Sequence, residues 1–391
     1  MFSSRFPWGA GGNADLRPNR LTQLLTAKRR AGARILDLTE SNPTRASLAY
    51  PAETLSALAD PRGLIYEPAP AGAAEARQAV ASYYRTRGHN LDVSRILLTA
   101  STSEAYAYLF KLLANPGDQV LVPRPSYPLF EFLAHMEAVE ARQYPLVYHG
   151  AWSIDLDALR GAITDRTRAV VLVNPNNPTG SYVKRHELEA LVRWCAERGI
   201  ALISDEVFSD YAFARDESRV ATLAGVEECL AFSMSGLSKI AGLPQMKLGW
   251  IVASGPEHLR REALEKLEWI ADTYLSVSTP VQCAAVHLLK VGDNIREQIR
   301  ERCAANLAAA REALAGSAGN ILAVEGGWYI TVQAPKIRSE EEWVLELLER
   351  ENLLVQPGFF YDFETEAFLI VSLLTVPEVF NEGLNRLRAY L

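Results

Sequence analysis

The stretch FSMSGLSKIAGLPQMKLGW, residues 232–250, sets one lysine, Lys239, in a Ser- and Gly-rich turn between two apolar runs, FSM and LGWIVA. Most lysines in a chain of this size are solvated surface charges. One placed where a buried strand ends is a candidate for chemistry if other segments ask for the same chemistry. Working outward, CLAFSM and LGWIVA read as strands on either side of Lys239, and IALIS (200–204) reads as a strand ending in Asp205. Before it, RAVVLV (168–173) leads into NPNNPTG (174–180), and a helix follows with Leu188, Leu191, Val192 and Cys195 on one face. RILLT (95–99) and DQVLVP are further strands, separated by the helical SEAYAYLFKLLANPGD, which Asn115, Pro116 and Gly117 close.

Short apolar runs alternating with amphipathic segments predict an α/β fold, a mainly parallel sheet covered by helices. Beyond about residue 280 the texture changes to long Ala/Leu/Glu/Arg helices with the strands WYITVQ and FLIVSLL, which predicts a second, smaller α+β lobe. The expected division is an N-terminal arm with part of the small domain at 1–45, a large domain at 46–280 and a C-terminal small domain at 281–391.

With 391 residues, 49% of them hydrophobic, the chain can bury a sizeable core. A formal charge of -7 provides no basic field for a phosphate backbone, so a nucleic-acid partner is not expected. The N-terminal MFSSRFPWGAGGN lacks the apolar core of a signal peptide, and no run reaches membrane-spanning length. A cytoplasmic protein with no membrane partner is expected. Cys195, Cys229, Cys283 and Cys303 lack CxxC spacing and nearby histidines, which favours buried free thiols over disulfides or a metal site.

In open α/β sheets ligands bind outside the carboxyl ends of the strands. Four polar signals fall there: Ser101, Thr102 and Ser103; NPNNPTG; Asp205; and SGLSK at 235–239. Each has an ordinary reading, since Ser and Thr cap helices, Asn and Pro make turns, and Asp caps helices or is solvated. Their joint placement is what points to a site.

These residues resemble the class I/II aminotransferases, fold-type I enzymes that use pyridoxal 5'-phosphate. YEPAPAGAAEARQAVASYY, TASTSEAYAYLFKLLANPGDQVLVPRPSYP, NPNNPTG, ISDEVF, SGLSKIAGLPQMKLGW and EGGWYITV carry the likeness over almost the whole chain. The resemblance implies a large domain with a mainly parallel seven-stranded sheet and a smaller α+β domain. It implies that Lys239 is the Schiff-base lysine and proton carrier, that Asp205 faces the cofactor's ring nitrogen, that Asn177 donates to the phenolic oxygen, and that Tyr127 stacks on the ring. Thr102 and Ser103, with Ser101 beside them, fall at the phosphate loop. Lys247, eight residues after Lys239, stands where most relatives have an arginine; Ser238 adds a hydroxyl, while Gly236 occupies the position of a serine three before the lysine. Tyr66 resembles the tyrosine that reaches a neighbouring subunit's phosphate, with Ser278 a second residue of that interface, which implies a homodimer with shared sites.

The implied activity is transfer of an amino group between an amine donor and a keto acceptor. A carbon-sulfur lyase or other carbanion enzyme on the same scaffold, and a non-catalytic binding or regulatory protein, are the alternatives. Two departures stand out. Phe208 replaces the tyrosine that usually ends SDEVF, and Ile370 replaces the arginine that usually grips the substrate carboxylate in the strand written here FLIVSLL. Arg45 and Arg124 are candidate substitutes, and Trp328 is a candidate pocket wall.

Overall fold

The computed structural model describes Arg5 and residues 18–391. Apart from Arg5, the MFSSRFPWGAGGN stretch, in which no signal peptide is expected, lies outside the described residues, as does the start of the expected arm. In chain order the strands are β1 (Leu36–Asp37), β2 (Ile96–Thr99), β3 (Gln119–Arg124), β4 (Glu140–Tyr148), β5 (Trp152–Ile154), β6 (Thr167–Val173), β7 (Ala201–Asp205), β8 (Ala231–Gly236), β9 (Gly249–Ser254), β10 (Asn320–Ile321), β11 (Tyr329–Gln333), β12 (Leu353–Leu354), β13 (Gln356–Pro357) and β14 (Phe368–Ser372).

The large sheet has the order β2-β9-β8-β7-β6-β3-β4-β5. Its centre, from β8 to β4, is parallel, while β9 runs antiparallel to both neighbours. The expected seven strands are present, and β5 adds an eighth by folding back on β4 as a hairpin, Leu146↔Ile154 to Tyr148↔Trp152. The strand sequences are apolar without alternation because both faces are covered. Val171, Ile203, Phe232 and Ile251 pack with Tyr106 and Phe110 on one side, and Val170, Leu172 and Leu202 with Leu191 and Cys195 on the other.

The second sheet, β10-β11-β14-β13, is antiparallel throughout. The helices Glu340–Glu351 and Pro377–Tyr390 bury Trp343, Leu347, Phe380 and Leu384 in the core that includes this sheet. Ser339 starts the first of these helices with a reciprocal cap from Glu342. The helix Thr279–Leu314 runs 36 residues and packs in the same core, and β1 pairs with β12 so that the two ends of the chain meet. All four cysteines are free, with Cys195, Cys229 and Cys303 buried. No helix of the described residues is long and apolar enough to cross a membrane.

The topology fixes where polar side chains can gather. β2, β3, β6, β7 and β8 point the same way, and β9 points the other way, so Gly249 at its start lies beside Thr99 and Gly236 at their ends. Every signal singled out in the large sheet's loops therefore falls on one edge.

Candidate active site

Lys239 lies in the one-turn helix Leu237–Ile240 directly after β8. Gly236 is required there by space: a Cβ would sit 2.9 Å from the Gly249 Cα and 2.9 Å from the Leu248 carbonyl oxygen, both backbone atoms. A serine three residues before Lys239 cannot be accommodated without parting β8 from β9. The Tyr211 hydroxyl donates to the Lys239 carbonyl at 2.5 Å and fixes the backbone that carries the amine. Lys239 Nζ lies 5.2 Å from the Trp328 ring centroid and 5.9 Å from that of Phe208. Removal from water pulls the amine below its ordinary pKa, and the charge of Asp205 partly restores it.

Asp205 ends β7. Its carboxylate accepts from the Val207 N–H at 3.2 Å and from the Tyr106 hydroxyl at 3.3 Å. Burial outweighs these bonds and the Lys239 charge, and the carboxyl is pushed up to about 6. Among the described residues no hydrogen bond joins Lys239 and Asp205, although each feels the other's charge. The next carboxyl, Glu206, is also buried and pushed up to about 7, and it holds the Thr222 hydroxyl at 2.6 Å and the Leu223 N–H at 2.9 Å.

The asparagines of NPNNPTG have separate tasks. Asn174 donates to the Val220 carbonyl and accepts from the Val183 N–H, while Asn176 accepts from Ser126 and donates to Pro125 and Thr179. Both are used up in holding loops together. Asn177 is 8% exposed, and its side-chain oxygen has no partner. A buried amide oxygen without a partner is costly unless a ligand completes it. Tyr127, half-buried, makes an edge contact with Phe130, and burial followed by the Asp205 charge raises its hydroxyl pKa.

At the β2 end, Ser101 caps the helix Thr102–Leu113 by accepting from the Glu104 N–H at 3.2 Å. Glu104 returns to the Ala100 N–H at 2.7 Å and also accepts from Ser276 at 2.6 Å. The Ser101 oxygen is thus a cap, and Thr102 and Ser103 form the first turn, where helix N–H groups favour an anion. Lys247 reaches the same edge through the Thr99↔Gly249 pairing, is exposed, and adopts a left-handed backbone at φ 52. A non-glycine residue holding that conformation is strained by about 1 kcal/mol. Ser238 is half-buried beside Lys239.

Phe208 is 4% exposed and belongs to an aromatic cluster the sequence did not reveal, with centroids 5.2 Å from Trp328, 6.5 Å from Tyr211 and 6.4 Å from Tyr329. Trp328 reaches Lys239 because the EGGW turn is pinned to the large sheet's loops. Glu325 receives the Tyr182 N–H at 2.7 Å and Lys184 Nζ at 2.6 Å, with Arg219 at 3.3 Å. The Gly326 N–H donates to Gly180 and the Gly327 N–H to Tyr211, each at 3.0 Å.

Ile370 lies buried in β14, paired with Thr331 and Gln356. Arg45 is exposed in a single 3-10 turn, and Arg124 is engaged by Glu364 and by Gln143. Tyr66 is 73% exposed, beside a cleft lined by Leu275, Val277 and Thr279, and Ser278 precedes the long helix.

Residues 34–386 match the family model described as aminotransferase class I and II. The chain is 28% identical over 331 residues to the glutamate-pyruvate aminotransferase AlaA of Haemophilus influenzae, covering 82% of this chain and 81% of that one. In fold it is similar to an alanine aminotransferase from Pyrococcus furiosus, with a TM-score of 0.85 at 24% identity over 95% of both chains. A Thermus thermophilus aspartate aminotransferase variant superposes with a TM-score of 0.85 at 23% identity over 100% of each chain.

Proposed function

The chain belongs to the class I and II aminotransferases and is an enzyme of amino-group transfer, and from that premise we propose that it works with pyridoxal 5'-phosphate at the edge where Lys239, Asp205 and Asn177 meet. The observation that carries the assignment is a half-buried amine and a buried carboxyl at neighbouring strand ends, without a hydrogen bond to each other. The group fits what is present. Asp205 lacks a full counter-charge and suits a protonated ring nitrogen, and the Asn177 side-chain oxygen, buried without a partner, leaves that amide open to a polar ring substituent. The helix start at Thr102 and Ser103, with Lys247 and Ser238, suits a phosphate, and Tyr127 gives a ring face.

When bound, the cofactor supplies a sink for the electron pair left on the substrate carbon as its proton departs. The protein supplies the rest. Lys239 would be the residue that holds the cofactor, and its depressed basicity would leave Nζ able to take a proton from the substrate carbon and return it elsewhere. Asp205 keeps its charge against the ring because a cation there reverses the effect of burial. Trp328 and Phe208 place apolar ring faces beside Nζ, at 5.2 and 5.9 Å from their centroids.

The same reading takes Tyr66 and Ser278 into a homodimer interface. Supporting it, three consecutive apolar residues, Leu64, Ile65 and Tyr66, are exposed to 90%, 58% and 73%. A cytoplasmic location is part of the proposal. The test is Lys239→Ala: we expect loss of the bound cofactor's visible absorbance and of turnover, and wild type reduced with borohydride should carry the pyridoxyl mass on the Lys239 peptide. A variant that keeps both colour and turnover would refute the assignment.

A further inference from the structure

Resting on that reading, we propose that the amine donor carries an uncharged substituent in place of a carboxylate on the carbon that bears the amine. The wall that decides this is set by strand register. In the antiparallel pairs Tyr329↔Ser372 and Thr331↔Ile370, and in Gln356↔Ile370, opposed side chains share a face, and alternate residues along each strand do so too. Tyr329, Thr331, Gln356, Ile370 and Ser372 therefore look the same way. Tyr329 shows which way, because its ring lies 6.4 Å from Phe208, whose ring lies 5.9 Å from Lys239 Nζ.

Among the described residues, the strand positions of this face carry no cation. Ile370 is apolar and 1% exposed. The Ser372 hydroxyl donates to the Glu40 carbonyl at 2.5 Å, and the Gln356 oxygen accepts from Tyr361. Two neutral donors are left uncommitted, the Thr331 hydroxyl and the Trp328 ring N–H, both buried without a partner. Glu40, half-buried, carries the wrong sign for a carboxylate: burial is the main cause of the raised Tyr329 hydroxyl pKa, and the Glu40 charge adds to it. Its own oxygen accepts from the Asn42 N–H at 2.8 Å. Of the two arginines considered as substitutes, Arg124 is paired with Glu364 and Arg45 is exposed in a short turn. A carboxylate moved from water to such a wall loses its hydration and gains no ion pair, whereas a hydrogen, alkyl, hydroxymethyl or amide substituent loses little.

The reaction balances as the general transfer. The donor carbon loses the amine and one hydrogen and takes a carbonyl oxygen; the acceptor carbon makes the reverse exchange. The products are then an aldehyde or ketone and a new amine, with no external oxidant.

The test uses the holoenzyme and matched donor pairs that differ only in the carboxylate: 2-phenylethylamine against phenylalanine, isobutylamine against valine, ethanolamine against serine. Loss of the visible absorbance in a single half-reaction gives the rate constant for each. We expect the amine of at least one pair to react about 100-fold faster than its amino acid, as when a site leaves a substrate's polar group unanswered. Glu40→Gln, which keeps the acceptor for Asn42, should reduce that ratio several-fold by removing the repulsion. A coloured holoenzyme that prefers the amino acid in every pair, or that reacts with neither member of any pair, overturns the substrate class and leaves the cofactor assignment standing. A protein that acquires no colour with pyridoxal 5'-phosphate overturns both.

Discussion

Burial makes the Asp205 carboxylate costly in the cofactor-free protein, and the cost is measurable as a pH dependence of stability. Its carboxyl is pushed from 3.8 up to about 6 in the folded chain, burial being the main cause. Between those values the folded state binds more protons than the unfolded state, so stability falls as pH rises through that window and levels off above it. A displacement of this size corresponds to about 3 kcal/mol lost by the cofactor-free protein between about pH 4 and about pH 7. The Val207 N–H and the Tyr106 hydroxyl use different carboxylate oxygens, so Asp205→Asn keeps an acceptor for one of them, presents an NH2 group to the other and has no charge to bury. Urea unfolding of the cofactor-free protein at several pH values should show the variant stabilised relative to wild type by up to about 3 kcal/mol at neutral pH, with the gap closing near about pH 4. Glu206, pushed up to about 7, contributes a slope of the same sign to both proteins and so cancels in the difference. Adding pyridoxal 5'-phosphate should reverse the order, because wild type then pairs its carboxylate with a cation and the variant does not. Parallel curves for the two cofactor-free proteins would refute the claim that burial dominates at Asp205.

Phe208→Tyr adds a hydroxyl within the cluster around Lys239, and the pH midpoint of the bound cofactor's visible absorbance should move down as the new donor stabilises the phenolate; an unchanged or higher midpoint counts against that role. Gly236→Ala puts a methyl 2.9 Å from two backbone atoms of the β8–β9 approach and should cost about 1–3 kcal/mol; unaltered thermal unfolding would show that the strands part freely. Glu325→Ala strips the partner from Lys184 and Arg219, whose side chains are each 14% exposed, and should cost about 3 kcal/mol. It should also loosen the Trp328 turn, seen as a changed near-ultraviolet circular dichroism band, and an unchanged band would separate Glu325 from Trp328.

The fold and the placement of Lys239 and Asp205 at neighbouring strand ends were legible because they depend on local pattern. Apolar runs of strand length followed by Ser, Asn, Asp or Lys mark strand ends, and parallel order brings those ends to one edge. β5 was not legible, since Trp152–Ile154 is too short to carry a period and exists only by pairing with β4. The residues of NPNNPTG alone could not say which asparagine is available, and only the resemblance pointed to Asn177. That choice is made by partners far along the chain, Ser126 and Pro125 for Asn176 and Val220 and Val183 for Asn174, and Asn177 is singled out by what the others have already bound. Gly236 read as a missing hydroxyl, whereas the structure makes it a steric requirement of Gly249 across the ladder.

The surroundings of Lys239 show the same limit from the other side. Trp328 meets Nζ only because Glu325 is held by Tyr182 and Lys184 and because Gly180 and Gly326 can approach each other without side chains, a Cβ on Gly180 falling 2.4 Å from the Gly326 oxygen. Tyr211 then joins the two halves, donating to Lys239 and accepting from Gly327. The amine's chemistry is therefore set by contacts between segments distant in sequence. A substitution in the EGGW turn should alter Lys239 without touching it, whereas one on the exposed ring of Trp269 should leave it alone.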